Sequence, residues 1–156
     1  MEFMGITDAD YPVFHELLND YYREGEDEET PQEEVDSFIR LLYDQVTAGK
    51  IDGCIVREGG RNIGFALWDI DTEGFGFSEM PGLGTVLEIG IAGPYRASGR
   101  GRKLLSYIEE KLSEHGVAQY YVSAYGPAQA FWTKCGFMES GISAANSLPI
   151  MIRTID

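Results

Sequence analysis

Arg96, Arg100, Arg102 and Lys103 fall within eight positions of a chain that sets only 12 lysines and arginines against 26 carboxylates. Gly93 precedes them, Gly99 and Gly101 are interleaved with them, and a helical pattern follows directly. A glycine-containing turn at a helix N-terminus is an anion site. Glycine lets backbone N–H groups approach an oxyanion with no Cβ in the way, and the helix dipole adds attraction. Without an anion, cations at that end oppose the dipole at about 0.3–1 kcal/mol each. A docked polyphosphate offsets this repulsion, whereas on a plain surface helix solvent only screens it.

Two common phosphate frames do not fit. GxxxxGK[ST] requires Ser or Thr after the lysine, and Leu104 follows Lys103. GxGxxG fails at the same residue, since Leu104 takes the third glycine's place after Gly99 and Gly101. Phosphates are expected at this turn, in another frame.

The elements that must position the turn read as follows. "EFMGI" is a short strand, and "TDADYPVFHELLNDYY" has helical spacing at Val13, Phe14, Leu17, Leu18 and Tyr21, with Asp8 or Asp10 as cap. The acidic "REGEDEE" is a polar linker. Thr30 and Glu33 predict a capping box, with Pro31 at the first helical position and Gly49 as the stop. The apolar stripe of that helix is Val35, Phe38, Ile39, Leu42 and Val46. Gly59-Gly60 between β-rich runs predicts a hairpin. Residues 71–84 form a glycine-rich connection, and "TVLEIGIA" is a strand in which Gly90 marks a bulge or a place where another backbone approaches closely. A helix from about Ser98 to Gly116, the strand "VAQYYVSA", a short helix opened by Pro127 and stopped by Gly136, and strands at "FMES" and "LPIMIRTI" complete the chain. This order indicates a mixed α/β sheet flanked by helices.

At 156 residues the chain has the size of one domain, 1–156. No apolar run approaches a membrane span, and "MEFMGITDADYP" lacks a signal pattern, so a cytoplasmic location is expected. Cys54 and Cys135 have no CxxC partner or nearby histidine, so no metal is expected and both read as buried thiols. The net charge of −14 argues against nucleic acid and suits a cationic partner.

"RASGRG" resembles the Q/R-x-x-G-x-G/A signature of the GNAT-type N-acetyltransferases. Downstream, "AYGPAQAFWTKCGF" is similar to that family's N-x-x-A-x-x-F-Y-x-K-x-G-F segment, with Ala128, Phe131, Lys134, Gly136 and Phe137 in register. The resemblance implies an acyl-CoA N-acyltransferase fold: a mostly antiparallel sheet with one splayed parallel strand pair. It implies acetyl-CoA as cosubstrate. Arg96, Ala97, Ser98, Gly99, Arg100 and Gly101 would wrap its pyrophosphate, helped by Arg102 and Lys103. The backbone of Ile89, Gly90 and Ile91 would pair with the pantetheine arm, and Phe131 and Lys134 would belong to the same binding segment.

The implied reaction is direct acetyl transfer to a primary amine. Only about one amine in 2,500 of pKa near 10.4 is neutral at pH 7, so a base or a water chain must take a proton. Glu88 is the candidate base by position on its strand, with Glu79 a lesser one; His15 and His115 read as surface or packing residues. A strand amide among residues 89–91 could donate to the thioester oxygen. Trp132 stands where the family often carries the tyrosine that protonates the leaving thiolate. An indole cannot supply that proton. Tyr125, at the usual asparagine position, is the candidate replacement, with Tyr121, Tyr120, a water or unaided departure as alternatives. The expected acceptor is a cationic small molecule or a lysine or N-terminal amine. Its candidate walls are residues 24–29, the second helix and residues 71–84. The expected state is a monomer or homodimer without nucleic acid or membrane partners. The alternatives are an acyl-CoA-binding sensor or scaffold, and a nucleotide-binding domain that the failed motifs disfavour.

Overall fold

Strand and helix alternate along the chain largely where the apolar periodicities change. The computed structural model describes residues 1–25, 30–72 and 78–156. The elements are β1 (Glu2–Gly5), α1 (Tyr11–Gly25), α2 (Gln32–Thr47), β2 (Asp52–Glu58), β3 (Arg61–Ile70), β4 (Gly84–Ile91), α3 (Arg100–Glu114), β5 (Gln119–Ser123), α4 (Gln129–Lys134), β6 (Met138–Ser143) and β7 (Pro149–Thr154). The strands make one seven-stranded mixed sheet in the order β1-β2-β3-β4-β5-β7-β6, and β4 with β5 is its parallel pair. Parts of the connections 24–29 and 71–84, offered above as acceptor walls, lie outside the described residues.

The chain forms two compact units, Met1–Leu67 with Glu88–Gly101, and Trp68–Leu87 with Arg102–Asp156. In the first, α1 packs on α2, and β1 pairs antiparallel with β2 from Glu2↔Arg57 to Gly5↔Cys54. Phe14 and Leu18 of α1, Ile39 of α2, Val56 of β2 and Ile63 of β3 have no exposed surface. Complete burial of such side chains is worth about 1.5–3 kcal/mol each. The β2–β3 hairpin turns at Gly59 and Gly60, with φ of 58° and 78°. Positive φ at both central residues is what a two-residue hairpin turn needs, and glycine adopts it without strain.

Helix α2 departs from expectation at two places. Pro31, with φ −56° and ψ 142°, occupies the N-cap position, one residue later than the predicted Thr30 cap, and offers no side-chain cap of its own. The Pro31 carbonyl instead accepts from the Glu34 and Val35 amides at 3.0 and 3.3 Å. The proline's extended ψ delays the helix by one residue and moves Thr30 out of cap register. Phe38, assigned to the buried stripe, is 38% exposed. Val35, Ile39, Leu42 and Tyr43 fill the buried arc, leaving Phe38 on its shoulder beside the Tyr22 ring.

In the second unit, β4 and β5 register at Gly84↔Tyr120 and Thr85↔Tyr121, two pairs among the described residues. β5 then runs antiparallel to β7 over five pairs, Gln119↔Thr154 to Ser123↔Ile150. Leu104, Leu105, Ile108 and Leu112 of α3 are buried at the spacing the sequence showed. Trp132 is 6% exposed and meets Phe131 and Phe137 edge to face at 5.1 and 5.0 Å. It is a packing residue. Both cysteines are free thiols; Cys54 is buried, and Cys135 half-buried. Burial pushes the Cys54 thiol up to about 12 and raises Cys135, which leaves both poor nucleophiles.

Candidate active site

The basic turn follows β4 directly. A short 3-10 turn at Gly93–Tyr95 leads to Arg96, Ala97 has φ 59° and Gly99 φ 81°, and α3 starts at Arg100. Left-handed residues two apart in a short loop turn successive N–H groups to one side, as in an anion nest. For Ala97 this conformation is strained by about 1–2 kcal/mol. The first four N–H groups of an α-helix have no intrahelical acceptor, and at α3, which starts at Arg100, these are the amides from Gly99 to Arg102. The first turn of α3 contains no acidic residue. Backbone donors, the dipole and charge therefore all favour a phosphate here.

The four cations are not equivalent. Arg96 donates from Nε to the Ile91 carbonyl at 2.7 Å and pairs with Glu24. Arg100 donates from Nε and NH2 to one Glu58 oxygen at 3.1 and 2.5 Å. Arg102 donates to the Lys134 carbonyl at 2.7 Å. Lys103 is exposed. The cluster's charge is thus partly met by carboxylates 72 and 42 residues away in sequence, which spacing within the turn cannot reveal.

Glu88 is half-buried on β4, and its Oε1 accepts from the Tyr22 hydroxyl at 3.1 Å. Burial pushes its pKa up to about 7, while hydrogen bonds from Tyr22 and Tyr21 pull the other way. The Tyr22 phenol is itself raised, by burial first and then by the Glu88 charge, so it stays protonated as a donor. Sequence reading missed Tyr22, which sits beside the core-facing Tyr21 on α1 and carries no motif. Two residues beyond Glu88, a Cβ at Gly90 would lie 2.8 Å from Phe65 Cε1 and 2.9 Å from Tyr21 Cδ1. The glycine makes room for two aromatic rings, so the neighbours of its absent Cβ are side chains and not the second backbone anticipated there. Tyr21, Phe65 and Gly90 line a cleft of about 180 Å³ with Asp20, Glu24 and Arg96 on its walls.

Tyr125, Phe131 and Lys134 belong to the second unit. Tyr125 is 52% exposed just before a 3-10 turn, Phe131 is half-buried, and Lys134 is exposed at the end of α4. Tyr120 and Tyr121 are buried, and their hydroxyls donate to Glu109 at 2.5 Å and Asp71 at 2.6 Å. Burial and these carboxylates raise both phenols, Tyr121 to about 12. Neither is placed to give up a proton near neutrality. The Glu79 side chain accepts from the Ala145 amide at 2.8 Å, His15 pairs with Asp36 at 2.6 Å, and His115 is exposed. Among the described residues no group of histidine, cysteine and carboxylates could hold a metal ion, and no helix is long and apolar enough to cross a membrane.

The sequence profile of the acetyltransferase (GNAT) family matches residues 11–137. No curated protein matches the chain. Among solved structures, the PaiA N-acetyltransferase from Thermoplasma acidophilum in complex with coenzyme A has a TM-score of 0.75 at 16% identity, covering 98% of each chain. A GCN5-related N-acetyltransferase from Ralstonia eutropha has a TM-score of 0.73 at 20% identity, covering 92% of this chain and 95% of its own. An aminoglycoside 6′-N-acetyltransferase complexed with coenzyme A has a TM-score of 0.69 at 16% identity, covering 100% of this chain and 98% of its own. At these identities the structures establish the fold, and the profile, spanning most of the chain, establishes that it belongs to the GNAT acetyltransferase family.

Proposed function

We propose that the protein transfers an acetyl group from acetyl-CoA directly to the primary amine of a cationic acceptor, with Glu88 as the base. The observation that carries this reading is a half-buried carboxylate, accepting from the Tyr22 hydroxyl at 3.1 Å, on the strand that runs into the glycine-rich basic turn. An alkylammonium has a pKa near 10.4, so handing its proton to any carboxylate is uphill. Raising Glu88 from the ordinary 4.5 to about 7 lowers that cost by about 3 kcal/mol.

In the step that follows, the amine nitrogen bonds to the thioester carbon and the C–S bond breaks. Glu88 has by then taken the ammonium proton, directly or through water, and the second N–H proton, released as the amide forms, makes good the one given to the thiolate. A backbone N–H among residues 89–91 donates to the carbonyl oxygen as charge develops on it. The turn and the start of α3 hold the pyrophosphate, with Arg102 and Lys103 helping to meet the remaining phosphate charge. Tyr125 is assigned the proton that neutralises the leaving thiolate. Its exposure sets it apart from the locked hydroxyls of Tyr120 and Tyr121. With that assignment, Tyr125→Phe lowers kcat by about 10²-fold, the low end for a positioned proton donor. Trp132→Phe should stay within a few-fold of wild type. A silent Tyr125→Phe assigns the proton to water or leaves thiolate departure unassisted.

A cationic acceptor is favoured by the net charge of −14 and by Asp20 and Glu24 on the cleft. The test is coenzyme A release over a panel of polyamines, aminoglycosides, lysine peptides, and neutral and anionic amines at low ionic strength. Polycations should give the highest kcat/KM. Anionic amino acids as the best acceptors would refute the charge argument. Trp132 at the family's tyrosine position favours a second reading, an acyl-CoA-binding domain without turnover. Tight acetyl-CoA binding with no release on any amine would support that one.

A further inference from the structure

Arg100 carries five N–H donors, and its surroundings engage four of them. Nε and NH2 reach Glu58 Oε2 at 3.1 and 2.5 Å, and NH1 reaches Ser98 Oγ at 2.5 Å and the Tyr95 carbonyl at 3.4 Å. Ser98 Oγ donates in turn to the Tyr95 carbonyl at 2.7 Å. The guanidinium carbon also lies 5.3 Å from the centroid of the Tyr95 ring. The side chain is thus wrapped around the back of the turn it belongs to and has little left to offer a phosphate.

The carboxylate that anchors it is the last residue of β2, set immediately before the Gly59-Gly60 turn. A two-residue hairpin leaves its flanking residues little freedom, so Glu58 is a fixed post. Both members of the pair are largely shielded, at 26% and 33% side-chain exposure. The Arg96–Glu24 pair, at 50% and 48%, is open to solvent and is expected to contribute less.

We propose that Glu58 is a positioning residue: acting through Arg100, it holds residues 95–99 in the conformation that receives the pyrophosphate of coenzyme A. The inference rests on the acetyl-CoA reading above and adds to it a residue outside the family's motifs. It also resolves a contradiction, since a carboxylate beside an anion site ought to repel the ligand. A fixed guanidinium keeps the strained Ala97 and the N–H groups around it in place before the ligand arrives, and preorganisation of that kind outweighs one screened negative charge.

The two effects have opposite signs, which makes the test decisive. Titration calorimetry with coenzyme A is run on the wild type, Glu58→Gln, Arg100→Lys and the double variant, at two salt concentrations. Removing the negative charge in Glu58→Gln should weaken binding about 10-fold, although charge alone predicts tightening. Arg100→Lys keeps the charge and loses the fork, and should weaken binding to a similar degree. The double variant should be no worse than the weaker single one, because both changes break the same brace. The salt dependence should stay at its wild-type slope in Arg100→Lys, since that side chain does not touch phosphate. Tighter or unchanged binding by Glu58→Gln, or additive losses, overturns the proposal. Should Glu58→Gln not fold, Arg100→Lys decides alone: binding within twofold of wild type refutes the brace. A wild type that does not bind coenzyme A overturns the functional reading and this inference together, whereas normal wild-type binding with a silent Glu58→Gln overturns the inference only.

Discussion

Replacing Glu88 by glutamine is expected to lower kcat at pH 8 by about 10²-fold or more, the ordinary contribution of a positioned base. The pH profile is the sharper measurement. With the carboxylate at about 7, wild-type kcat/KM should rise roughly tenfold per pH unit below that value and level off above it. Glu88→Gln should lose the limb and stay flat through the same window. Stability should move the opposite way. Because the folded pKa lies above the ordinary 4.5, the native state holds a proton that the unfolded chain releases between about 4.5 and 7. Wild-type stability therefore falls as pH rises through that window and is level above it. Glutamine keeps an acceptor for Tyr22 and cannot ionise. The variant should match the wild type at pH 4 and exceed it at pH 8 by about 1–3 kcal/mol, as read by urea denaturation. A more stable and less active protein is the signature of a group held in a costly state for chemistry. A variant that keeps the limb and full turnover would remove Glu88 from the mechanism.

Gly101→Glu is expected to reduce acetyl-CoA affinity by about 100-fold or more, since it sets a carboxylate at the free amides of a helix N-terminus that must receive phosphates. The residue is half-buried in the first turn of α3, and glutamate near a helix N-terminus is favourable to the helix itself. The fold should therefore survive, as circular dichroism and thermal melting would show. Loss of binding with an intact fold is the predicted pattern in calorimetry. Wild-type affinity should also weaken with added salt, as expected for attraction between Lys103, Arg102 and phosphate. Unchanged affinity in Gly101→Glu would mean that the anion does not sit at this turn.

The parts of this protein legible in its sequence are those specified by neighbours in the chain. Helix α3 buries Leu104, Leu105, Ile108 and Leu112 because a 3.6-residue repeat puts them on one face, whatever they pack against. Gly59-Gly60 specifies a turn because few other residues tolerate positive φ twice in succession. The glycine-rich basic turn was visible for the same reason, its glycines and cations being contiguous. The helix start fell one residue late within this same local range, with the extended Pro31 rather than Thr30 at the N-cap.

Tertiary structure alone decided which charges remain available. Arg96 and Arg100 looked identical to Arg102 and Lys103 in a list of residues. Glu24 and Glu58, brought in from α1 and the end of β2, pair with the first two. Glu88 offered only its position on a strand until α1 laid Tyr22 against it, and burial moved its proton affinity into the range where a base is useful. Desolvation and ion pairing depend on groups that arrive from tens of residues away, so they exist only once the chain has folded.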